Sequence, residues 1–306
     1  MTEIHTLDLR LRGSSNALAA HVIKTSNGSI LVDCGPESTL ANLYSELERV
    51  GVNNLKYLLL THIHLDHAGA AGRLARELGV TVFVHARGAK HLIDPTKLLA
   101  SATQIFGDRM QETWGNIEPV PNPQILNGGE LLELSGLEIE ALYTPGHAVH
   151  HLAFQFRDVI FAGDVAGVRI GNNLPVPPTP PPDINLEHWR TSIALLKSRA
   201  AKTLCIAHFG RFDDAQFHLE ILLENLETFA QISLAGFKAG ETRAEIAAKL
   251  RTAVQTLESD EFKGGYVPAS ISATDVAGLE RYWRTVHPES VHPEFVHPEF
   301  VHPELL

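Results

Sequence analysis

Residues 61–69 read Thr-His-Ile-His-Leu-Asp-His-Ala-Gly, which puts His62, His64, Asp66 and His67 within six positions. An apolar stretch of strand length, Leu55 to Leu60, comes before this run, and a stretch with helical spacing, Gly69 to Leu78, comes after it. Burying three imidazoles and a carboxylate with nothing to bind them would be costly. The run is therefore read as a strand-end loop, held by a rigid sheet and aimed at one point. Imidazole and carboxylate donors suit a borderline divalent cation, zinc first, with iron or manganese as alternatives. His62 and His64 share a direction on an extended segment, whereas Asp66 and His67 lie past the bend. Two adjacent cations fit that arrangement better than one.

Each cation then needs further ligands, and three residues stand in the same setting. His147 follows the strand-like Ile139 to Tyr143, Asp164 follows Val159 to Ala162, and His208 follows Thr203 to Ile206. All three end apolar strands, as expected if strand ends converge on one edge of a layered sheet.

The rest of the pattern agrees with a layered α/β architecture, helices outside and sheet inside. Strands are expected at Ile4–Leu11, Leu18–Lys24, Ser29–Val32, Thr81–His85, Gly136–Tyr143 and His151–Phe156. Helices are expected at Glu37–Val50, across most of Pro95–Trp114, and at Leu186–Ser198. Residues 175–182, rich in proline, form a stiff loop that can be neither helix nor sheet interior, and this loop is a candidate wall for the site. Beyond Phe212 the pattern is helical. Ala215–Leu234 places Phe217, Ile221, Leu222, Leu226 and Phe229 on one stripe, Glu241–Leu257 opens on a Thr242/Glu245 capping box, and Thr274–Arg284 follows. The expected organisation is a catalytic domain over 1–212, a helical cap over 213–285 and a Val-His-Pro-Glu repeat over 286–306, whose prolines leave it extended or disordered.

Composition narrows the function. Among 306 residues, Lys and Arg number 25 against 36 Asp and Glu, a formal charge of −11 that disfavours nucleic acid as a partner. No apolar run approaches the ~18 residues of a membrane span. The first residues carry no signal-peptide pattern and only Cys34 and Cys205 are present, so a reducing cytoplasm is the expected location. Both thiols read as inert core. Of the 17 histidines, His5, His21, His85, His91, His188 and His218 lack the strand-end context and read as surface or packing residues.

The order and spacing of His62, His64, Asp66, His67, His147, Asp164 and His208 resemble the signature of the metallo-β-lactamase fold hydrolases, over roughly residues 3–212. The resemblance implies an αββα sandwich, here with a C-terminal helical extension. It implies one metal held by His62, His64 and His147, another by Asp66, His67 and His208, and Asp164 bridging them. Asp33, in Leu-Val-Asp-Cys-Gly, is similar to that family's aspartate behind the metal loop, which braces it by hydrogen bonds. Thr144–His151 is similar to the Thr-Pro-Gly-His-x-x-Gly-His run of glyoxalase-II-like members, with His151 at the second histidine and His150 in place of glycine.

Two cations about 3.5–4 Å apart lower the pKa of a bridging water and polarise a carbonyl or phosphoryl oxygen, and Asp66 is then both ligand and orienter of the nucleophile. Arg211 and His150 are candidate substrate contacts. Within the family's range, the charge argues against RNA ends, and His64 stands where flavodiiron members carry glutamate. What remains is hydrolysis of a small ester, thioester or lactone. A phosphodiesterase or a mononuclear iron dioxygenase of the same fold are the alternatives, the partner is a small molecule, and assembly into a homo-oligomer is left open.

Overall fold

A computed structural model describes residues 2–254 and 271–288. Leu257 and all but the first residues of the Val-His-Pro-Glu repeat lie outside the described residues. Two six-stranded sheets form the centre, each built in chain order. The first holds β1 (Glu3–Asp8), β2 (Ala19–Lys24), β3 (Ser29–Val32), β4 (Leu55–Leu59), β5 (Thr81–His85) and β6 (Gln124–Leu126). The second holds β7 (Leu131–Leu134), β8 (Leu137–Tyr143), β9 (Leu152–Phe156), β10 (Val159–Phe161), β11 (Thr203–Ile206) and β12 (Gly210–Phe212). Pairing is parallel from β3 to β6 and between β10 and β11, and antiparallel elsewhere.

Parallel neighbours need crossovers, and helices supply them. α1 (Leu40–Arg49) joins β3 to β4. The short α2 (Leu65–Ala68) and α3 (Ala71–Leu78) join β4 to β5, and α4 (Ala86–Ile93), α5 (Thr96–Phe106) and α6 (Met110–Trp114) join β5 to β6. α7 (Leu186–Ser198) joins β10 to β11, and α8 (Ala215–Ala239), α9 (Arg243–Ala253) and α10 (Ala273–Val286) follow the last strand.

Side-chain alternation shows how the layers stack. Val82 and Val84 pack with the α1, α3 and α4 layer, whereas Phe83 between them enters the layer shared by the two sheets. On β11, Cys205 faces the other sheet while Leu204 and Ile206 join α7, α8, α9 and α10 outside. A strand buried on both faces reads as a continuous apolar run, which is why β5, β10 and β11 are legible as strands. The fold is an αββα sandwich with a C-terminal helical extension, and those last helices share one hydrophobic cluster with the second sheet.

Several expectations are corrected. α4, β6, β7 and β12 had no clear signal, and the helix expected across Pro95–Trp114 breaks at Gly107, which takes φ +53°. The α8 stripe runs through Ala215, Leu219, Leu222, Leu226 and Phe229; Phe217, expected on it, falls on the far side and is 48% exposed.

β3, β4, β8, β10 and β11 end at one edge, and backbone hydrogen bonds tie the two sheets there. Leu152 N–H at the start of β9 donates to Thr61 O past the end of β4 at 2.7 Å. Ala19 N–H donates to Ala207 O, past β11, at the same distance. This edge carries the site.

Candidate metal centre and cleft

Asp33, one residue past β3, takes the left-handed conformation at φ +55° and turns its carboxylate under the β4 loop. It accepts from Thr61 N–H and from the Thr61 hydroxyl, both at 2.8 Å, and from His67 Nδ1 at 2.9 Å. The Thr61 hydroxyl, having given its proton to Asp33, accepts from His62 Nδ1 at 3.1 Å. One buried carboxylate thus sets the tautomers of two histidines and leaves the Nε2 lone pair of each facing outward. Elsewhere, His147 Nδ1 donates to Pro178 O at 3.0 Å and His208 Nδ1 to Ala17 O at 3.1 Å, again leaving Nε2 as the acceptor.

The outward atoms converge. His64 Nδ1 lies 3.0 Å from His62 Nε2 and 3.0 Å from His147 Nε2. Since the last two are acceptors by tautomer, a single His64 proton cannot satisfy both. Beside this group, Asp66 Oδ2 lies 3.3 Å from His208 Nε2 and 3.9 Å from His67 Nε2. Asp164 faces both groups, with Oδ2 3.6 Å from His147 Nε2 and Oδ1 3.3 Å from His67 Nε2. His67 Nε2 and Asp164 Oδ1 are buried and have no hydrogen-bond partner. Orphaned buried polar atoms are rare, and here they point at each other's neighbourhood, as divalent cation ligands do. Three groups of donors, His62/His64/His147, His62/His67/Asp164 and Asp66/His67/His208, each lie within 4.8 Å of one another. The donor set fits cations.

The protonation states agree. Burial pushes His62 well below the usual imidazole range and His147 down to about 4, so both stay neutral, as ligation requires. Burial raises Asp66, but the imidazoles of His67 and His208 outweigh it and hold the carboxyl at about 2. Asp164 is likewise held well below its ordinary value, against its burial, by His67 and His208. His67 moves the other way: burial opposes its charge, yet Asp164, Asp66 and Asp33 draw it well above the imidazole range. The carboxylates therefore demand positive charge at the point where the two groups meet.

Gly163, at φ +51°, begins the turn that carries Asp164, and a Cβ there would strike Thr61 Oγ1 and His151 Nε2. Only glycine lets the two sheets' loops approach this closely. Above the centre opens a cleft of ≈ 470 Å³. Its floor is His64, Asp66, His147, Asp164 and His208. Its walls are Leu98, Ser101 and Ala102 on α5, Arg109 in the turn after it, Trp114 at the end of α6, Pro178 to Pro182 except Thr179, and Ser272, Thr274 and Asp275 at the start of α10.

A model of the metallo-beta-lactamase superfamily matches residues 18–208. The chain belongs to this superfamily. Among curated relatives, metallo-beta-lactamase fold-containing protein ST1585 of Sulfurisphaera tokodaii is 28% identical over 230 residues, 73% of this chain and 85% of that protein. Hydroxyacylglutathione hydrolase GloC of Haemophilus influenzae is 36% identical over 138 residues, 44% of this chain and 59% of that one. A metallo-beta-lactamase family protein of Thermus thermophilus, TTHA1429, is similar in fold, with TM-score 0.68 at 22% identity, covering 92% of this chain and 93% of that one.

Within the superfamily frame, all seven strand-end residues meet in one centre, and Asp33 lies directly behind it. His151 is placed against the same centre as a brace: its Nδ1 pairs with Thr144 Oγ1 at 2.9 Å, its Nε2 receives Val165 N–H at 3.4 Å, and its ring stacks 5.1 Å from that of His62. His150, expected as a substrate contact, is instead buried behind the floor, stacked 6.1 Å from His62 and with Nε2 3.8 Å from Asp183 Oδ2. Arg211 is a correction. It lies on β12 opposite Cys205, exposed, pairs with Asp213 at 3.0 Å and does not line the cleft, because the hairpin after His208 carries it away. The cleft walls Arg109, Trp114, Leu98 and Asp275 were missed by the sequence reading. The proline loop, expected as a candidate wall, lines the cleft through Pro178, Pro180, Pro181 and Pro182.

Proposed function

We propose that this metallo-hydrolase uses two divalent cations, zinc first among zinc, iron and manganese, to hydrolyse a small ester, thioester or lactone. The observation that carries the reading is two adjacent donor groups, His62/His64/His147 and Asp66/His67/His208, with Asp164 facing both, Oδ2 3.6 Å from His147 Nε2 and Oδ1 3.3 Å from His67 Nε2, the last two atoms buried without a hydrogen bond. His62, His64 and His147 would hold one cation, Asp66, His67 and His208 the other, and Asp164 would face both. Bound there, the cations would supply Lewis acidity toward an acyl oxygen and bring the pKa of water toward neutrality. The chain's own groups do the rest. Asp66, anionic and lining the cleft, would accept a hydrogen bond from water and so fix the direction of its lone pair. Asp33 and Thr61 hold His67 and His62 in their tautomers, so the floor needs no rearrangement during turnover. The apolar walls exclude bulk water and seat the substrate. Two relatives bear names that fit, hydroxyacylglutathione hydrolase GloC and the Aspergillus fumigatus atrochrysone carboxyl ACP thioesterase, the latter 26% identical over 51% of this chain and 41% of that one. Two unpaired cysteines, both buried, accord with a cytoplasmic location.

Mass spectrometry of protein purified without an affinity column should give two cations per chain. A panel of ester, thioester, lactone and phosphodiester probes should show turnover confined to acyl substrates. One tightly bound ion in active protein, unchanged by Asp164→Ala, would overturn the dinuclear reading. Turnover only of phosphodiesters, or oxygen consumption in place of hydrolysis, would overturn the acyl reading.

A further inference from the structure

Above its floor the cleft is lined by apolar side chains, by Ser101, Ser272 and Thr274, and by two charged residues, Arg109 and Asp275. Arg109 lies in the turn between α5 and α6, is exposed and lines the cleft, and no carboxylate among the described residues pairs with it. Three arginines elsewhere are committed to carboxylates: Arg169 to Asp214 at 2.8 Å, Arg190 to Glu227 and Arg243 to Glu280 at 2.6 Å. The other charged wall residue, Asp275, is spent within the wall, accepting from Ser272 N–H at 2.9 Å, the Ser272 hydroxyl at 2.7 Å and Thr179 N–H at 3.2 Å. On a chain of formal charge −11, whose field repels anions, a guanidinium without a carboxylate partner that lines the same cleft as Asp66 and Asp164 is a selector for anions that enter it. Its planar fork matches a carboxylate bidentately.

We propose that Arg109 receives a carboxylate of the substrate, so that the preferred substrates are acyl compounds with an apolar middle and a carboxylate remote from the scissile carbonyl. This rests on the acyl-hydrolase reading above, and the test separates the two. The probes are three thioesters of one size: the butyryl thioester of N-acetylcysteamine, its succinyl counterpart with a carboxylate on the acyl side, and butyryl 3-mercaptopropionate with the carboxylate on the thiol side. One carboxylate-bearing probe should exceed the neutral probe in kcat/KM by about tenfold, the worth of one charge-assisted hydrogen-bonded pair. Which one does so locates the anion on the acyl or the thiol side.

Arg109→Gln and Arg109→Glu should erase that preference through KM with kcat kept, leave the neutral probe unchanged, and be partly rescued by Arg109→Lys. Glutarate binding, measured by calorimetry on metal-loaded wild type and Arg109→Glu, should weaken about tenfold in the variant. A preference that survives Arg109→Glu, or a variant that loses the neutral probe equally, overturns the assignment of Arg109. If no thioester, ester or lactone is cleaved while glutarate binding still depends on Arg109, the hydrolase reading fails and the anion site stands.

Discussion

The floor and the walls of the cleft are made in opposite ways. The floor comes from strand ends: its seven donors each sit two to eight residues past a β-strand, on backbone tied by Asp33, by Gly163 and by hydrogen bonds between the sheets. The walls come from three segments distant in sequence, the α5–α6 turn, the proline loop and the start of α10, that meet only in the folded chain. α10 and the proline loop approach so closely that a Cβ on Gly278 would overlap Thr179 O. Thr179 in turn donates its hydroxyl to Asp275 O at 3.1 Å, and Arg281 Nε donates to Pro182 O at 3.0 Å. A floor built on rigid strands sets the chemistry, and walls borrowed from helices and a loop set what enters.

Substitutions should separate these two jobs. The largest effect is expected at the floor. Asp66→Ala removes a carboxylate that lines the cleft on an already well-anchored loop, so turnover should fall by roughly 10³-fold or more while the melting transition of metal-loaded protein stays largely in place. Near-normal turnover on every hydrolysed substrate would show that Asp66 is not the orienter and that the floor's chemistry resides elsewhere.

A smaller effect of the opposite kind is expected at the walls. Gly278→Ala forces α10 off the proline loop, an overpacking that costs roughly 1–3 kcal/mol. Melting should drop and KM should rise severalfold, with a smaller fall in kcat, because within the floor the displaced loop touches only His147, through the hydrogen bond to Pro178 O. If kcat falls as far as KM rises, walls and floor are one mechanical unit and the comparison breaks.

The same contrast governs what the amino-acid order reveals. The floor is legible because its information is local: apolar run, small residue, donor, loop, repeated at His62–His67, His147, Asp164 and His208, so the chain announces both the element and the ligand. Asp33 is legible only through its likeness to a family pattern, since its role depends on Thr61 and His67, which lie 28 and 34 positions away. The walls have no such grammar. Arg109 is one basic residue in a Gly-Asp-Arg turn, and nothing in its neighbours distinguishes it from Arg211, which reads as an equally good anion contact but leaves the cleft on β12. Phe217 erred for a related reason: an apolar residue beside a stripe is indistinguishable from one on it until the sheet behind the helix sets the stripe's centre.

The smallest predicted effect concerns the joint between the two regions, where α8 reaches the turn bearing Asp164. His218, fully buried on α8, donates from Nε2 to Ala166 O at 2.7 Å, and its Nδ1 faces Arg169 at 3.4 Å, so the folded protein holds it neutral. Burial, helped by the Arg169 charge, brings it from the usual 6.5 down to about 4 despite the Ala166 hydrogen bond and the nearby Asp214. Above pH 6.5 neither the folded nor the unfolded chain binds this proton, so stability does not depend on it there. Between 6.5 and about 4 the unfolded chain takes the proton and the folded one refuses, so stability falls as pH falls, by roughly 2 kcal/mol at pH 5. His218→Gln keeps a donor for Ala166 O and removes the titration. Its melting temperature should therefore drop less than the wild type's between pH 7.5 and pH 5, even if it is lower at pH 7.5. Parallel curves for the two proteins would mean that His218 already gains its proton in the folded state, and that the joint is open to water rather than sealed by α8.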